Sequence, residues 1–334
     1  MSHRIAVLPF ALTAALMAAG CERSEQQAAV APGSAVPEQA PATQGAAPIA
    51  AEVIGGSGPG DWRALDPENT LYMEIEAGRV VIELAPDFAP RHVANIRTLA
   101  RAGYWHGLAI LRSQDNYVVQ WGDPHGEEEG QRKSLGDAEP RLPAELTRAA
   151  EGLPFTPLAD RDGYAPEAGW SGGFPAARDP RSDEAWLAHC YGMVGAGRDV
   201  APDSSTGAEL YAVIGHAPRH LDRNITLVGR VVDGMERLSV LPRGTGDLGF
   251  YESDEQRVPI RSVRLAADVP EAERVLLELF RTGTPAFERL VEARRNRREE
   301  WFHEPLGHID VCNVPIPTRL RPAASEASSA DSAE

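Results

Sequence analysis

Residues 108–124 read LAILRSQDNYVVQWGDP, and this stretch decides the fold. An apolar run ends at Arg112, a polar turn follows, and a β-branched and aromatic run begins at Tyr117. Short apolar runs bounded by turn residues predict two buried strands. Arg112 closes the first strand, whereas Tyr117, Val118 and Gln120 belong to the second. We interpret the arginine either as a surface charge with a packed stem or as a guanidinium directed at a substrate.

The segments around this stretch predict a sheet of several strands with two short helices. Residues 70–84 alternate apolar and polar side chains around Gly78, a pattern typical of a β-hairpin. Apolar residues recur at helical spacing between Pro90 and Gly103, and a short helix is expected at residues 235–241. Further strand-like runs occupy residues 191–198, 210–215, 225–235 and 259–266.

The order and spacing of these motifs resemble the cyclophilins. Ile110-Leu111-Arg112, followed by YVVQWGDP at residues 117–124, is similar to the family signature FHRVIxGFMIQGGDP without a gap. Segments 89–105, 191–198, 202–211 and 221–235 resemble four further family motifs in the same order. The resemblance implies a mainly β fold, in which a closed eight-stranded antiparallel barrel carries capping helices.

Two parts of the chain have no counterpart in a minimal cyclophilin. Residues 127–189 form a long insert rich in Pro, Gly and charge, with a short element expected at residues 142–146. After the barrel domain at residues 61–268, helical spacing at residues 271–281 and 286–302 predicts a C-terminal helical appendage over residues 269–322.

Cyclophilins are peptidyl-prolyl cis-trans isomerases, so the resemblance implies this activity. Rotation about an X-Pro bond breaks no covalent bond, and its barrier of about 18–20 kcal/mol is the loss of amide conjugation. A catalyst needs an apolar grip on the proline ring and a donor for the nitrogen lone pair of the twisted amide. An arginine suits the donor role because it stays charged. We therefore expect no cofactor and no metal.

The resemblance also implies the site residues. Arg112 takes the position of the donor, and Gln120 that of the glutamine that contacts the substrate backbone and supports the arginine. Glu209 replaces a family glutamine and is expected to hold Arg112. The positions that correspond to substrate-binding residues are Tyr117, Val118, Gly197, Glu209, Leu210, Tyr211, His220, Leu221 and Ile225.

The departures from the family pattern leave an alternative open. Gly197 stands where the family usually has alanine, His220 replaces a tryptophan and Ile225 replaces a histidine. The alternative is a catalytically weak binding module, or an envelope lipoprotein that docks partners. An insert side chain in the proline site would favour a binding module, and an Arg112 buried in a salt bridge would favour a purely structural protein.

The N-terminus predicts export. The apolar run at residues 5–19 is too short to span a membrane and ends in small residues, as secretory signals do. Residues 17–21, MAAGC, resemble a bacterial lipobox, which implies lipidation of Cys21; a plain signal peptide is the alternative. The Ala-, Pro- and Gly-rich residues 22–60 predict a disordered tether, and residues 323–334 predict a disordered tail.

Composition limits the partners. The net charge of −16 argues against nucleic acid. We expect a monomer that acts on proline-containing polypeptides, faces the periplasm and is held at a membrane by its lipid anchor, with a soluble periplasmic protein as the alternative. In that compartment Cys190 and Cys312 form either a disulfide or two separate buried thiols.

Overall fold

The computed structural model describes residues 47–126 and 128–322. Within them the α-helices are α1 (Ala50–Gly55), α2 (Pro90–Arg101), α3 (Met235–Ser239) and α4 (Pro285–Arg295). The strands are β1 (Trp62–Ala64), β2 (Thr70–Ile75), β3 (Gly78–Leu84), β4 (Ala109–Ser113), β5 (Val118–Gly122), β6 (Arg148–Ala149), β7 (Thr156–Pro157), β8 (Glu167–Ser171), β9 (Phe174–Asp179), β10 (Glu184–Leu187), β11 (Met193–Ala196), β12 (Leu210–Val213), β13 (Leu227–Asp233), β14 (Val258–Leu265), β15 (Leu277–Phe280) and β16 (Thr318–Leu320).

Eight strands close into an antiparallel barrel in the order β11-β12-β5-β4-β14-β2-β3-β13. This confirms the predicted mainly β architecture. Alternate residues of each strand point inward, so Val119, Trp121 and Leu210 lie in one core with Val194. The buried face of α2 packs on the same core through residues such as Ile96.

The insert forms its own antiparallel sheet, in the order β6-β10-β9-β8-β7. The expectation of a short element at residues 142–146 was wrong, because that stretch has no regular structure. The buried aromatic residues Trp170, Phe174 and Trp186 lie on these strands instead. Long-range pairing therefore gives the insert a sheet that its local sequence did not indicate.

The C-terminal appendage is only partly helical, so its prediction needs correction. The segment expected to be a helix at residues 271–281 contains β15, which lies between β1 and β16 in a three-stranded sheet. Pairing on both edges and the burial of Leu277, Leu279 and Phe280 override the helical spacing. The second predicted helix exists as α4, but it ends at Arg295 rather than at residue 302.

Part of the expected tether is ordered. The segment 22–60 was predicted to be disordered throughout, but α1 begins at Ala50 and buries Val53 against the same core as α4. Helix α1 has six residues, too few to be stable alone, so its tertiary contacts stabilise it.

The insert, β1 and the C-terminal segment share one hydrophobic core, so the boundary predicted at residue 268 does not separate two domains. Trp62 of β1 meets Phe280 of β15 edge-to-face at 4.9 Å, and Trp170 of the insert meets Phe287 of α4 in the same way. A disulfide joins Cys190 to Cys312. This answers the question that the sequence left open.

The predicted signal segment at residues 1–21, the lipidation site Cys21 and the tail at residues 323–334 lie outside the described residues. In the part of the chain that is described, no helix is both long enough and apolar enough to cross a bilayer.

Candidate functional site

A β-bulge turns Arg112 toward the outer face of the barrel. Ile110 pairs with Trp121, but the next pair on the same two strands is Arg112 with Gln120. The extra residue, Leu111, shifts Arg112 by one position, so that it shares the face of Gln120 rather than the core-facing side of Ile110. The sequence motif therefore encodes a bulge as well as two strands.

Four residues from adjacent strands form a row across this outer face. Arg112 is the neighbour of Gln120, Gln120 is the neighbour of Tyr211 on β12, and Tyr211 is the neighbour of Gly195 on β11. Directly opposed residues on one face of a sheet have β-carbons about 4.5–5.5 Å apart. The register thus brings together the predicted donor, its supporting glutamine and a pocket aromatic.

Three neutral oxygens hold the Arg112 guanidinium. Its Nε donates to the backbone carbonyl of Leu248 at 2.6 Å, and Nη1 donates to Oε1 of Gln120 at 3.0 Å. Nη2 donates to Oε1 of Gln114. Each guanidinium nitrogen therefore has a partner, and together they fix the plane of the group.

The loop that supplies the Leu248 carbonyl replaces a strand beside β4. β14 pairs with β4 only at Ala109 and Ile110, and beyond that point residues 244–251 take over the backbone pairing. The amide of Gly244 donates to Ser113, and Phe250 forms an antiparallel bridge with Arg112. The predicted site did not include this loop.

Two aromatic rings flank the guanidinium. The Cζ atom of Arg112 lies 5.5 Å from the ring centre of Tyr117 and 5.3 Å from that of Phe250. Contacts of this kind stabilise a cation by about 0.5–2 kcal/mol. Burial lowers the pKa of Arg112, while Tyr117 and Glu209 act in the opposite direction. Arginine nevertheless stays charged near neutral pH, because its usual pKa is above about 12.

Glu209 supports the arginine through Gln120. Nε2 of Gln120 donates to Oε1 of Glu209, which orients the amide so that its oxygen faces Arg112. The same carboxylate explains the glycine at position 197, because a β-carbon there would lie 3.0 Å from Oε1 of Glu209. A cavity of about 450 Å³ adjoins Gly197 and Glu209, and Lys133 and Arg198 also line it.

An apolar patch lies on the outer face of the barrel near Arg112. It consists of the buried residues Val118, Tyr211 and Val213, with the half-buried Tyr117 and Ile225 packed against them. We call this set the outer apolar cluster. None of its members comes from the insert, although His189, the last residue of the insert, contacts the Tyr211 hydroxyl.

The predicted substrate-binding residues do not all join this cluster. Leu210 faces the barrel core and is 1% exposed, so its assignment to substrate binding was wrong; strand alternation directs it inward beside Trp121. Leu221 ends a short 3-10 helix and is half-buried, whereas His220 is exposed beside it. Neither residue belongs to the cluster.

Sequence reasoning missed a hydrogen-bond chain behind Tyr211. The Tyr211 hydroxyl lies 3.0 Å from Nε2 of His189, and Nδ1 of His189 lies 3.0 Å from Oδ1 of Asp222. Nothing near His189 in the sequence indicates this contact, because Tyr211 lies 22 residues away. The loop residues Leu248 and Phe250 likewise carried no local signal.

The described residues contain no group of three or more His, Cys, Asp or Glu side chains arranged to hold a metal ion. The groups that this site presents are the guanidinium, the amide of Gln120 and the outer apolar cluster.

Comparison with known proteins agrees with this geometry. The sequence profile described as cyclophilin type peptidyl-prolyl cis-trans isomerase/CLD matches residues 70–265, which span all eight barrel strands. The chain belongs to the cyclophilin family. This cyclophilin is therefore a peptidyl-prolyl cis-trans isomerase, and the predicted family, barrel and enzyme class are confirmed.

Individual relatives show how far the similarity extends. A probable peptidyl-prolyl cis-trans isomerase of Brucella suis is 28% identical over 188 residues, covering 54% of this chain and 76% of that protein. Peptidyl-prolyl cis-trans isomerase ppi1 of Schizosaccharomyces pombe is 35% identical over 67 residues, covering 20% of this chain and 43% of that protein.

The crystal structure of cyclophilin AquaCyp293 from Hirschia baltica superimposes with a TM-score of 0.64 at 25% identity. The match covers 78% of this chain and 94% of that one. This share of the chain is larger than the span of residues 70–265, so the similarity in structure extends beyond the segment that the family profile matches.

Proposed function

We propose that Arg112 is the catalytic donor of this cyclophilin and that the outer apolar cluster holds the proline ring. The observation that supports this most strongly is the shared row of Arg112, Gln120 and Tyr211 on adjacent strands. It brings a fixed cation beside the outer apolar cluster, and an apolar surface is what a proline ring binds to.

The reaction then follows from differential binding. A planar X-Pro amide has no free lone pair on nitrogen, whereas the twisted amide does. A guanidinium N–H directed at that nitrogen interacts more strongly with the twisted state and so lowers the barrier. Because the Leu248 carbonyl, Gln120 and Gln114 already hold the guanidinium, little reorganisation accompanies the rotation.

In this proposal Gln120 both holds Arg112 in place and contacts the backbone of the bound peptide. Its amide is held by Glu209 on one side and Arg112 on the other. Both of its strand neighbours, Arg112 and Tyr211, belong to the proposed site, so Gln120 lies where a bound peptide backbone would pass.

We further propose that the substrates are exported polypeptides and that the enzyme faces the periplasm from a lipid anchor at Cys21. The Cys190–Cys312 disulfide supports export, because such bonds persist in oxidising compartments. The signal-like residues 1–21 support the anchor.

Two experiments test these proposals separately. Rotation of an Ala-Pro peptide, followed by exchange NMR with the purified full-length protein, should be accelerated by the wild type. Binding of the peptide without acceleration would support the catalytically weak binding module instead. For the anchor, metabolic labelling with palmitate should mark the wild type and not Cys21→Ser; an unlabelled, soluble periplasmic wild type would contradict it.

A further inference from the structure

We infer that His189 is a positioning residue for the isomerase, which holds the Tyr211 ring in place as one wall of the proline pocket. The inference rests on the proposed role of the outer apolar cluster. It concerns a residue that lies behind the pocket and does not itself touch the substrate.

His189 is held between two hydrogen-bond partners. His189 is completely buried, and its imidazole lies between the Tyr211 hydroxyl and Asp222, at 3.0 Å from each. The backbone N–H of His189 also donates to Asp222, at 2.9 Å. The imidazole is therefore held from two sides, with little freedom to rotate.

The two partners of His189 fix which ring nitrogen carries the proton. Asp222 accepts from Nδ1–H, so Nε2 is the acceptor for the Tyr211 hydroxyl. Burial lowers the pKa of His189 and raises that of Tyr211, which keeps both groups neutral. The tyrosine hydroxyl thus donates to a fixed acceptor and cannot swing without breaking a buried hydrogen bond.

Asp222 is itself held in place by Arg219. Arg219 donates to Asp222 at 2.6 Å and to both oxygens of Asp162 at 2.8 and 3.0 Å. The Arg219 and Asp162 side chains are 2% and 1% exposed. Because Asp162 belongs to the insert, the chain of contacts joins the insert sheet region to the pocket wall.

The Tyr211 ring lies over a position that has no side chain. Its neighbour on β11 is Gly195, and the phenol ring of Tyr211 occupies the space that a side chain at position 195 would fill. No side chain at position 195 restrains the ring, whereas the hydrogen bond to His189 fixes its far end. The ring also belongs to one buried cluster with Val118 and Val213, so the hydrogen bond adds to that packing.

Two substitutions of His189 form a matched pair, because each removes a different one of its two side-chain hydrogen bonds. In His189→Gln the side-chain amide reaches the position of Nε2 and keeps a partner for Tyr211, but loses the contact to Asp222. In His189→Asn the amide occupies the position of Nδ1, so it keeps Asp222 and loses Tyr211. Both variants remove one buried hydrogen bond and should lower the melting temperature similarly, so stability alone does not distinguish them.

The inference predicts different kinetics for the two. With an X-Pro peptide, His189→Asn should raise KM about fivefold or more with a smaller change in kcat, while His189→Gln stays within about twofold of the wild type. In a Tyr211→Phe background, which lacks the hydroxyl, the change from His189 to Asn should no longer alter KM. Equal losses in both variants, or an undiminished loss in the Tyr211→Phe background, would overturn the inference.

Failure of this inference is separable from failure of the proposed function. If Tyr211→Ala and Arg112→Ala keep wild-type activity, the proposed site is wrong. If both lose activity while His189→Asn behaves like His189→Gln, only the positioning role of His189 is wrong. Should either His189 variant fail to fold, Tyr211→Phe removes the same contact from the other side. Its KM should then rise about threefold, and an unchanged KM would contradict the inference.

Discussion

Gly195 and Tyr211 face each other as direct neighbours on β11 and β12, and a β-carbon at position 195 would overlap the phenol ring. The glycine therefore contributes to the proposed proline pocket, because the Tyr211 ring occupies the space that a side chain at position 195 would fill.

Replacing this glycine should damage both stability and the pocket. Gly195→Ala forces the Tyr211 ring away from its place, and overpacking of this kind costs about 1–3 kcal/mol. We expect a lower free energy of unfolding and a higher KM. Gly163→Ala is the control, because a β-carbon at position 163 meets nothing within 4 Å. Similar effects of the two variants in denaturant unfolding and kinetics would contradict the account.

Reduction of the disulfide should destabilise the protein. The bond joins the residue directly after the insert to the C-terminal segment, across a sequence separation of 122, and losing such a crosslink typically costs about 2–5 kcal/mol. Thermal unfolding with and without a thiol reductant should show the loss. A Cys190→Ala/Cys312→Ala variant should already be destabilised and should not respond to the reductant.

The buried cation Arg219 should be far more important for stability than an exposed arginine. Arg219→Leu leaves the carboxylates of Asp162 and Asp222 buried without it, and breaking a buried pair in this way costs about 3–5 kcal/mol. Arg141 pairs with Asp203 on the surface, so Arg141→Leu should leave the melting temperature unchanged. Comparable shifts for the two variants would contradict this distinction.

Stability should also fall in mildly acidic solution because of His189. Asp222, Arg219, His220 and Tyr211 surround the imidazole, and burial is the largest effect on its pKa, which is lowered on folding. The unfolded chain, with a histidine pKa of about 6.5, binds a proton more readily. The contribution of His189 is therefore complete above about pH 6.5 and is lost as pH falls toward the lowered folded value.

The variant His189→Gln supplies the control for this pH dependence. It has no imidazole to titrate, so its unfolding free energy should fall less than that of the wild type between about pH 7 and 5.5. Asp222 has a lowered pKa and titrates at more acidic values, outside this window. Parallel curves for the two proteins would show that His189 does not carry the effect.

The barrel could be predicted because its strands carry dense local signals. Arg112, Gln120 and the glycine-aspartate-proline end of the motif stand at fixed spacing, and the strands around them are rich in β-branched residues. Tyr117, Val118 and Tyr211 were predicted from the resemblance of residues 108–124 and 202–211 to family motifs, and the structure brings these residues together.

The insert sheet could not be predicted in the same way. Its strands are short and contain residues such as Ala176, Ala177 and Ala185, which favour a strand only when packed. β15 has helical spacing in its sequence and becomes a strand through pairing with β1, more than 200 residues earlier. Such contacts depend on tertiary structure and leave no local pattern.

Dependence on tertiary structure also explains why some site residues were not predicted. Leu248 reaches Arg112 through a backbone carbonyl, which any residue could supply, and His189 contacts Tyr211 from 22 residues away in the sequence. Leu210 was misassigned because a motif does not state which face of the strand each residue takes. The register of β12 with β5 decides it.

The most direct test of the account is the isomerase activity of the purified full-length protein on an X-Pro peptide, compared with Arg112→Ala. The account predicts that kcat/KM falls about tenfold or more, equivalent to about 1.4 kcal/mol of transition-state stabilisation, while peptide affinity changes little. Unchanged activity in Arg112→Ala, with the fold intact by circular dichroism, would contradict the proposal that this guanidinium stabilises the twisted amide.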